Sequence, residues 1–201
     1  VGGFAENGLG FDVSGAQKII QPLKKIIELA RKKNVPLIHM REAYSDDLTD
    51  LNPTHTWYEL IGKKGGGGWR YLIYGEKGHE IVSELAPIEG EHVIDKAGKN
   101  GVYDPPPKEA INQISLLDIL RKLKVKNVLV AGVATSVCVN DTARGLRREF
   151  VPVLIEDCCG DYENRLHEWT LLNFGKRQQK GDGLYGRTSH SRNVISVLDS
   201  W

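Results

Sequence analysis

The sequence predicts a three-layer αβα domain, a central mostly parallel β-sheet with helices packed on both faces. Strand-like and helix-like stretches alternate along most of its length. The strand-like runs at 36–40, 128–133 and 151–155 are too continuously apolar for a sheet with one wet face, and helices that follow strands in sequence supply the two covering layers. With 201 residues, 40% hydrophobic and 26% charged, the chain has the size and composition of a single domain, taken as residues 1–201.

The first helix is expected over 14–34, where Ile19, Leu23, Ile26, Ile27 and Ala30 share one face. Ser14 is a candidate cap, and Asn34 followed by Pro36 reads as a stop. Pro22 belongs in a first turn or at a kink, because its ring clashes inside a regular helix. Residues 36–40 then form a buried strand. From Arg41 to about Gly68 the pattern becomes polar and irregular, with Pro53 and the glycine run 65–68. A segment of this length without periodicity reads as a lid or substrate-binding loop, with a flexible surface insert as the plain alternative.

A short extended run at 71–74 and a helical turn near 80–85 lead to a second strand at 91–95 that ends on Lys96. Leu116, Leu117, Leu120 and Leu123 mark a helix, 128–133 a strand, and Val139, Ala143 and Leu146 a further helix. Residues 151–155 form the next strand and 162–174 the next helix. Ligands of such sheets sit beyond the carboxyl ends of the strands, which is where chemistry is to be sought.

Lys and Arg number 27 against 26 Asp and Glu, a net charge of +1, so no field favours phosphate backbones or acidic lipid, and neither nucleic acid nor membrane is an expected partner. No apolar run approaches the roughly 20 residues of a spanning helix. Three cysteines, two of them the neighbours Cys158 and Cys159, make no disulfide framework, and a reducing, cytoplasmic setting is expected. The six histidines show no metal-ligand spacing, His39 reads as a satisfied strand-end residue, and neither metal nor cofactor is expected. The glycine run lacks a following Lys-Ser/Thr and is no phosphate loop.

The segment Val130-Ala-Gly-Val-Ala-Thr-Ser-Val-Cys138-Val-Asn-Asp-Thr-Ala143 is a buried strand, a tight turn and a helix start. Unpaired N–H groups at such a corner favour a thiolate and can hold an oxyanion, so Cys138 is a candidate nucleophile; a small buried hydrophobe is the equal alternative. Lys96, at the end of a parallel strand, points to the same rim and offers a positive charge that lowers the thiol pKa, unless it is merely solvated there. Asp95 should face the other way.

These residues, with GGFAENGLGFDVS at the start, HMREAYSDDLTDLNP, GEKGHEIVSELAPIEGEHVIDKAGKNGVY and EDCCGDY, resemble the isochorismatase-like cysteine hydrolases over nearly the whole chain, and most closely their biuret, triuret and ureidoacrylate amidohydrolase branch. The resemblance implies a Rossmann-like topology and an Asp-Lys-Cys triad in which Lys96 and Cys138 match. It also implies a cis peptide between Val133 and Ala134 and an oxyanion hole from the N–H groups of Ala134 and Cys138. The triad Asp of the family lies on a first strand, expected upstream of Val1; Asp12 does not match it.

By the same resemblance Arg41, Glu42, Asp50, His55 and Asn140 face the substrate. His55 stands where biuret-type relatives tend to have Lys, Asn140 where they tend to have Gln, and Val102 replaces a common Phe, as Asp104-Pro-Pro-Pro107 replaces a small turn. These departures imply a small amide or ureide other than biuret. The implied reaction is metal-free C–N hydrolysis through a thioester, with the amide and water as partners and a homodimer or homotetramer as the assembly. The alternatives are a vinyl-ether hydrolase of the isochorismatase type and a non-catalytic binding descendant of the fold.

Overall fold

The structure is a computed structural model that describes residues 13–55, 58–64, 68, 70–176 and 186–200. Residues 2–12 of the N-terminal motif, with Asp12, and Gly65 to Gly67 of the glycine run lie outside the described residues.

The helix expected over 14–34 is two helices, α1 (Ser14–Lys18) and α2 (Ile20–Lys32). Pro22 is the third residue of α2, where its missing N–H removes no helical hydrogen bond. Ser14 starts α1, and the cap position falls on Val13. Asn34 ends the run in the left-handed conformation, φ 54°, which Asn tolerates better than most residues. The Val35 N–H donates back to the Ala30 carbonyl at 2.8 Å, closing the helix end.

Strand β1 (Ile38–Glu42) follows and pairs in parallel with β2 (His92–Lys96). Helix α3 (Leu116–Lys122) is capped by Ser115, whose hydroxyl accepts the Asp118 N–H at 3.2 Å. Strand β3 (Asn127–Val133) runs into a π-helical turn at Thr135–Val139 and then α4 (Asn140–Leu146). Strand β4 (Val151–Gly160) is twice the expected length, and α5 (Asn164–Lys176) follows. Two elements not anticipated from the sequence complete the described chain, β5 (Arg187–Ser189) and α6 (Ser191–Asp199).

Every pairing between named strands is parallel, yet the single expected sheet is two among the described strands: β1–β2, and β3–β4–β5. Strands β1 and β3, which do not pair with each other among the described residues, both line an apolar cavity of about 630 Å³ that also takes in Cys138. Layering follows the side chains along β4, whose alternation changes phase at the irregularity where its register with β3 shifts between Val130 and Gly132. Ile155 and Cys158 pack with Ile26 of α2 and Val194 and Leu198 of α6, while Leu154 and Cys159 turn to Val139, Ala143 of α4 and Phe174 of α5. A third cluster joins Ile94 of β2 to Leu116, Ile119 and Leu120 of α3, Leu146 and Phe150.

The long segment after β1 is no loose insert in its described parts. Tyr44, Leu51, Ile61 and Ile73 form a buried cluster, Tyr44 bridges Ile73, and Tyr74 N–H donates to the Tyr44 carbonyl at 2.9 Å. Apolar burial therefore anchors this segment over the carboxyl ends of β1 and β2. No helix among the described residues is long and apolar enough to cross a membrane.

Leu154 is fully buried between β4 and the α4–α5 layer. Leu154→Ala is expected to destabilise the protein by about 3 kcal/mol, read as a lower denaturant midpoint with an unchanged slope.

Candidate active site

Two chain segments meet at the Cys138 corner. On one side, β3 ends in a cis peptide between Val133 and Ala134, and the Ala134 carbonyl accepts the N–H groups of Val137 and Val139 at 3.1 and 3.2 Å. The turn is tied down from outside. Asp161, just past β4, accepts the Ser136 N–H at 2.7 Å and the Tyr162 N–H at 2.9 Å, and Thr135 Oγ1 meets His167 Nδ1 of α5 at 2.9 Å. A buried carboxylate on two backbone donors holds a turn more firmly than one neutral hydrogen bond. Helix α1 closes over the same place: a side chain at Gly15 would meet the Asp161 carbonyl at 2.1 Å, so only glycine permits the approach.

On the other side, Lys96 ends β2 at 4% exposure. Its ammonium donates to the Gly98 carbonyl and lies 3.8 Å from Glu42 Oε2. The turn after Lys96 is stapled to α4: Asn100 Nδ2 donates to the Asp141 carbonyl at 3.0 Å, and the Gly101 N–H to Thr142 Oγ1 at 2.9 Å. Those bonds set the end of β2 against the helix that follows the cysteine.

The two sides converge on Glu42, the last residue of β1. Cys138 Sγ donates to Glu42 Oε2 at 3.6 Å. Tyr44 Oη donates to Oε1 at 2.9 Å, and His55 Nε2 stands 3.2 Å from Oε1, with its ring edge-on to Tyr44. Burial pushes the Glu42 carboxyl up, but His55, Lys96 and Tyr44 outweigh it and leave it below the ordinary carboxylate value. Tyr44 is driven the other way, its phenol raised by burial and by the Glu42 charge.

The thiol does not rest as the thiolate expected from the sequence. Burial raises its pKa, Lys96 lowers it, and the Glu42 charge and hydrogen bond raise it again, to about 11. Burial, and after it the carboxylate that the sequence reading assigned to the substrate, favours the protonated sulfur. Cys158 and Cys159 are buried and pushed up to about 12, chiefly by desolvation, as structural thiols.

Glu42, Lys96, Val133, Ala134 and Cys138 line the cavity, as does Arg41. Arg41, one residue before Glu42, turns to the opposite face and forks onto Asp95 at 2.8 Å through both nitrogens; His79 Nε2 adds to Asp95 at 3.3 Å. Asp50 is engaged in its own loop, accepting the Ser45 N–H and hydroxyl. Asn140 accepts from Arg144 Nε at 2.8 Å. His39 pairs with Glu91 at 2.8 Å, a satisfied residue. Among the described residues no three His, Cys, Asp or Glu side chains are grouped to hold a metal ion.

The sequence reading missed Tyr44 and Asp161. Tyr44 was accessible in principle, since it stands two residues past Glu42, on the same side of an extended chain. Asp161 carried no signal beyond its place at the end of a strand.

The family model of the isochorismatase domain matches residues 2–179. The chain belongs to the isochorismatase family. It is similar to the ureidoacrylate amidohydrolases RutB of Caulobacter segnis, 27% identical over 157 residues, 74% of this chain and 62% of that protein. The corresponding protein of Azorhizobium caulinodans is 29% identical over 165 residues, 74% and 65% of the two chains. The match thus spans a little under two thirds of these relatives. Among solved structures, a cysteine hydrolase from Pseudomonas syringae superposes with a TM-score of 0.72 at 21% identity, over 92% of this chain and 82% of that one. The N-carbamoylsarcosine amidase from Thermoplasma acidophilum does so with 0.63 at 20%, over 89% and 85%. At these identities the family's structures share the fold.

With a thiol pKa of about 11, iodoacetamide labelling of Cys138 should speed up close to tenfold per pH unit from 7 to 10, because the thiolate is the reacting form. Lys96→Met should slow it at every pH by raising the thiol pKa further. Mass spectrometry of the alkylated peptides reads both effects, and Cys158 and Cys159 should label later than Cys138.

Proposed function

We propose that this protein is a cysteine-dependent amidohydrolase that cleaves a C–N bond of a small amide or ureide. The observation that carries the reading is the convergence of the Cys138 thiol and the Lys96 ammonium on one part-buried carboxylate oxygen, that of Glu42, at the wall of the cavity. A sulfur nucleophile needs a proton acceptor and a nearby cation, and both are within reach. The relatives' names support the substrate class, since ureidoacrylate and N-carbamoylsarcosine each carry a carbamoyl nitrogen bound to a carbonyl.

In this reading Cys138 Sγ adds to the substrate carbonyl. The oxygen takes up the negative charge beside the N–H groups of Ala134 and Cys138, which border the same cavity at the strand-to-helix corner. Preorganised donors of this kind contribute on the order of 10²- to 10³-fold in rate. Collapse of the adduct breaks the C–N bond and releases ammonia or an amine, leaving a thioester that water hydrolyses. Lys96 holds the negative charge in place throughout, whichever atom carries it. Its ammonium lowers the pKa of the sulfur against the opposing effects of burial and Glu42. The small amide and water are the only reactants this chemistry requires.

Cys138→Ala should abolish ammonia release from ureido and carbamoyl compounds, a loss of about four orders of magnitude, and Lys96→Met should lower kcat roughly 100-fold. A coupled ammonia assay over a panel of N-carbamoyl amino acids, ureidoacrylate and biuret reads both. Undiminished turnover by Cys138→Ala would refute the cysteine mechanism.

A further inference from the structure

The loop after Lys96 is closed on itself. The Ala97 N–H donates to the Pro105 carbonyl at 2.7 Å, the Asn100 N–H to Asp104 Oδ2 at 2.7 Å, the Asp104 N–H back to the Asn100 carbonyl at 2.9 Å, and the Val102 N–H to Asn100 Oδ1 at 2.9 Å. Gly98, inside this loop, gives its carbonyl to the Lys96 ammonium. Residues cross-linked in this way move together, so whatever fixes the far side of the loop also fixes the acceptor of that ammonium.

The far side rests on α4 at consecutive residues. Asn100 Nδ2 donates to the Asp141 carbonyl at 3.0 Å, and the Gly101 N–H to Thr142 Oγ1 at 2.9 Å. Thr142 lies about one helical turn past Cys138, is 6% exposed, and lines the cavity together with Cys138 and Lys96. Close approach is built in from both sides: a side chain at Gly101 would run into Met40 and Thr142, and one at Gly145 of α4 into Val102 and Asn100. We propose that Thr142 is a positioning residue of the site: by accepting the Gly101 N–H, its hydroxyl holds the loop after β2, and with it the Lys96 ammonium, in place relative to Cys138. The consequence for turnover rests on the cysteine amidohydrolase reading above.

Of the two attachments, the Asp141 carbonyl is a backbone group that any residue supplies, whereas the Thr142 acceptor belongs to a side chain. Valine there would match the shape of threonine and leave the half-buried Gly101 N–H without its acceptor, a cost that the loop relieves by shifting away from α4. Such a shift carries the Gly98 carbonyl with it, and the Lys96 ammonium follows its acceptor. Burial raises the thiol pKa, Lys96 lowers it, and Glu42 and Asp141 raise it. Thr142 brings no charge of its own, so its exchange for valine reaches the sulfur by way of the lysine.

The test compares the full chain carrying Thr142→Val with the wild type, with Thr142→Ser, which keeps the hydroxyl, and with Lys96→Met. Iodoacetamide labelling of Cys138 should slow about threefold in Thr142→Val between about pH 8 and 9. Its kcat for ammonia release should fall about tenfold with KM little changed, and Thr142→Ser should restore both. Adding Thr142→Val to Lys96→Met should change neither quantity further, because a residue that acts through the ammonium has nothing to act on once that group is gone. A merely structural threonine would lower the denaturant midpoint and leave the labelling profile alone. Labelling of Thr142→Val at the wild-type rate therefore removes Thr142 from this role, as does an equal further loss in the Lys96→Met background. Ammonia release by Cys138→Ala overturns the amidohydrolase reading instead, and the labelling comparison, which needs no turnover, then still decides the role of Thr142. If Thr142→Val fails to fold, Asn100→Ala, which cuts the other side-chain bond to α4, should label as slowly, and labelling of that variant at the wild-type rate refutes the proposal.

Discussion

A carboxylate, an ammonium and a thiol share one buried corner, and the rest of the site is arranged to make that tolerable. Desolvating a carboxylate and an ammonium costs several kcal/mol each, recovered only when the geometry supplies partners on every side. Glu42 has Tyr44, His55, Lys96 and Cys138 around it, and Lys96 has the Gly98 carbonyl as well. Loss of any one partner leaves a buried charge underserved. The chain segments that bring these groups together, β1, the segment after it, β2 and the β3–α4 corner, are therefore bound to one another electrostatically as well as by apolar packing.

That requirement explains devices outside the cluster that would otherwise look incidental. The sulfur lies on a turn rather than a regular helix, and turns wander unless anchored. Asp161 anchors it from the end of β4, and Gly15 lets α1 press on Asp161. Lys96 ends a strand whose next residues form a loop, and Asn100 and Gly101 tie that loop to Asp141 and Thr142 of α4. The nucleophile and the cation are thus placed relative to the same helix by different hydrogen bonds, a second layer of positioning around the first.

Much of this was legible in the residue order, for reasons that differ between elements. Helices α3 and α4 announced themselves because each buries a face, which leaves a period in the sequence, and β3 because its run is continuously apolar. Helix α2 was legible but its break at Ile19 was not, because the apolar stripe runs through the break. Continuity of the sheet was expected from the strands alone, whereas pairing is decided between segments far apart, and among the described residues β1 and β3 do not pair. Cys138 and Lys96 were visible from their places at strand ends. The protonation state of the thiol was not, because it turns on Glu42, 96 residues away from Cys138, and on the amount of water excluded around them.

The raised thiol pKa follows from charge balance. Among the described residues one carboxylate, Glu42, pairs with the Lys96 ammonium, and it brings one negative charge. A standing thiolate would add a second beside it in a poorly hydrated place, and burial with Glu42 ionised opposes that. A thiol kept in its protonated form reacts slowly with electrophiles from solvent, because the thiolate is the reacting form, so the same burial that raises the Cys138 pKa also shields the sulfur from adventitious modification.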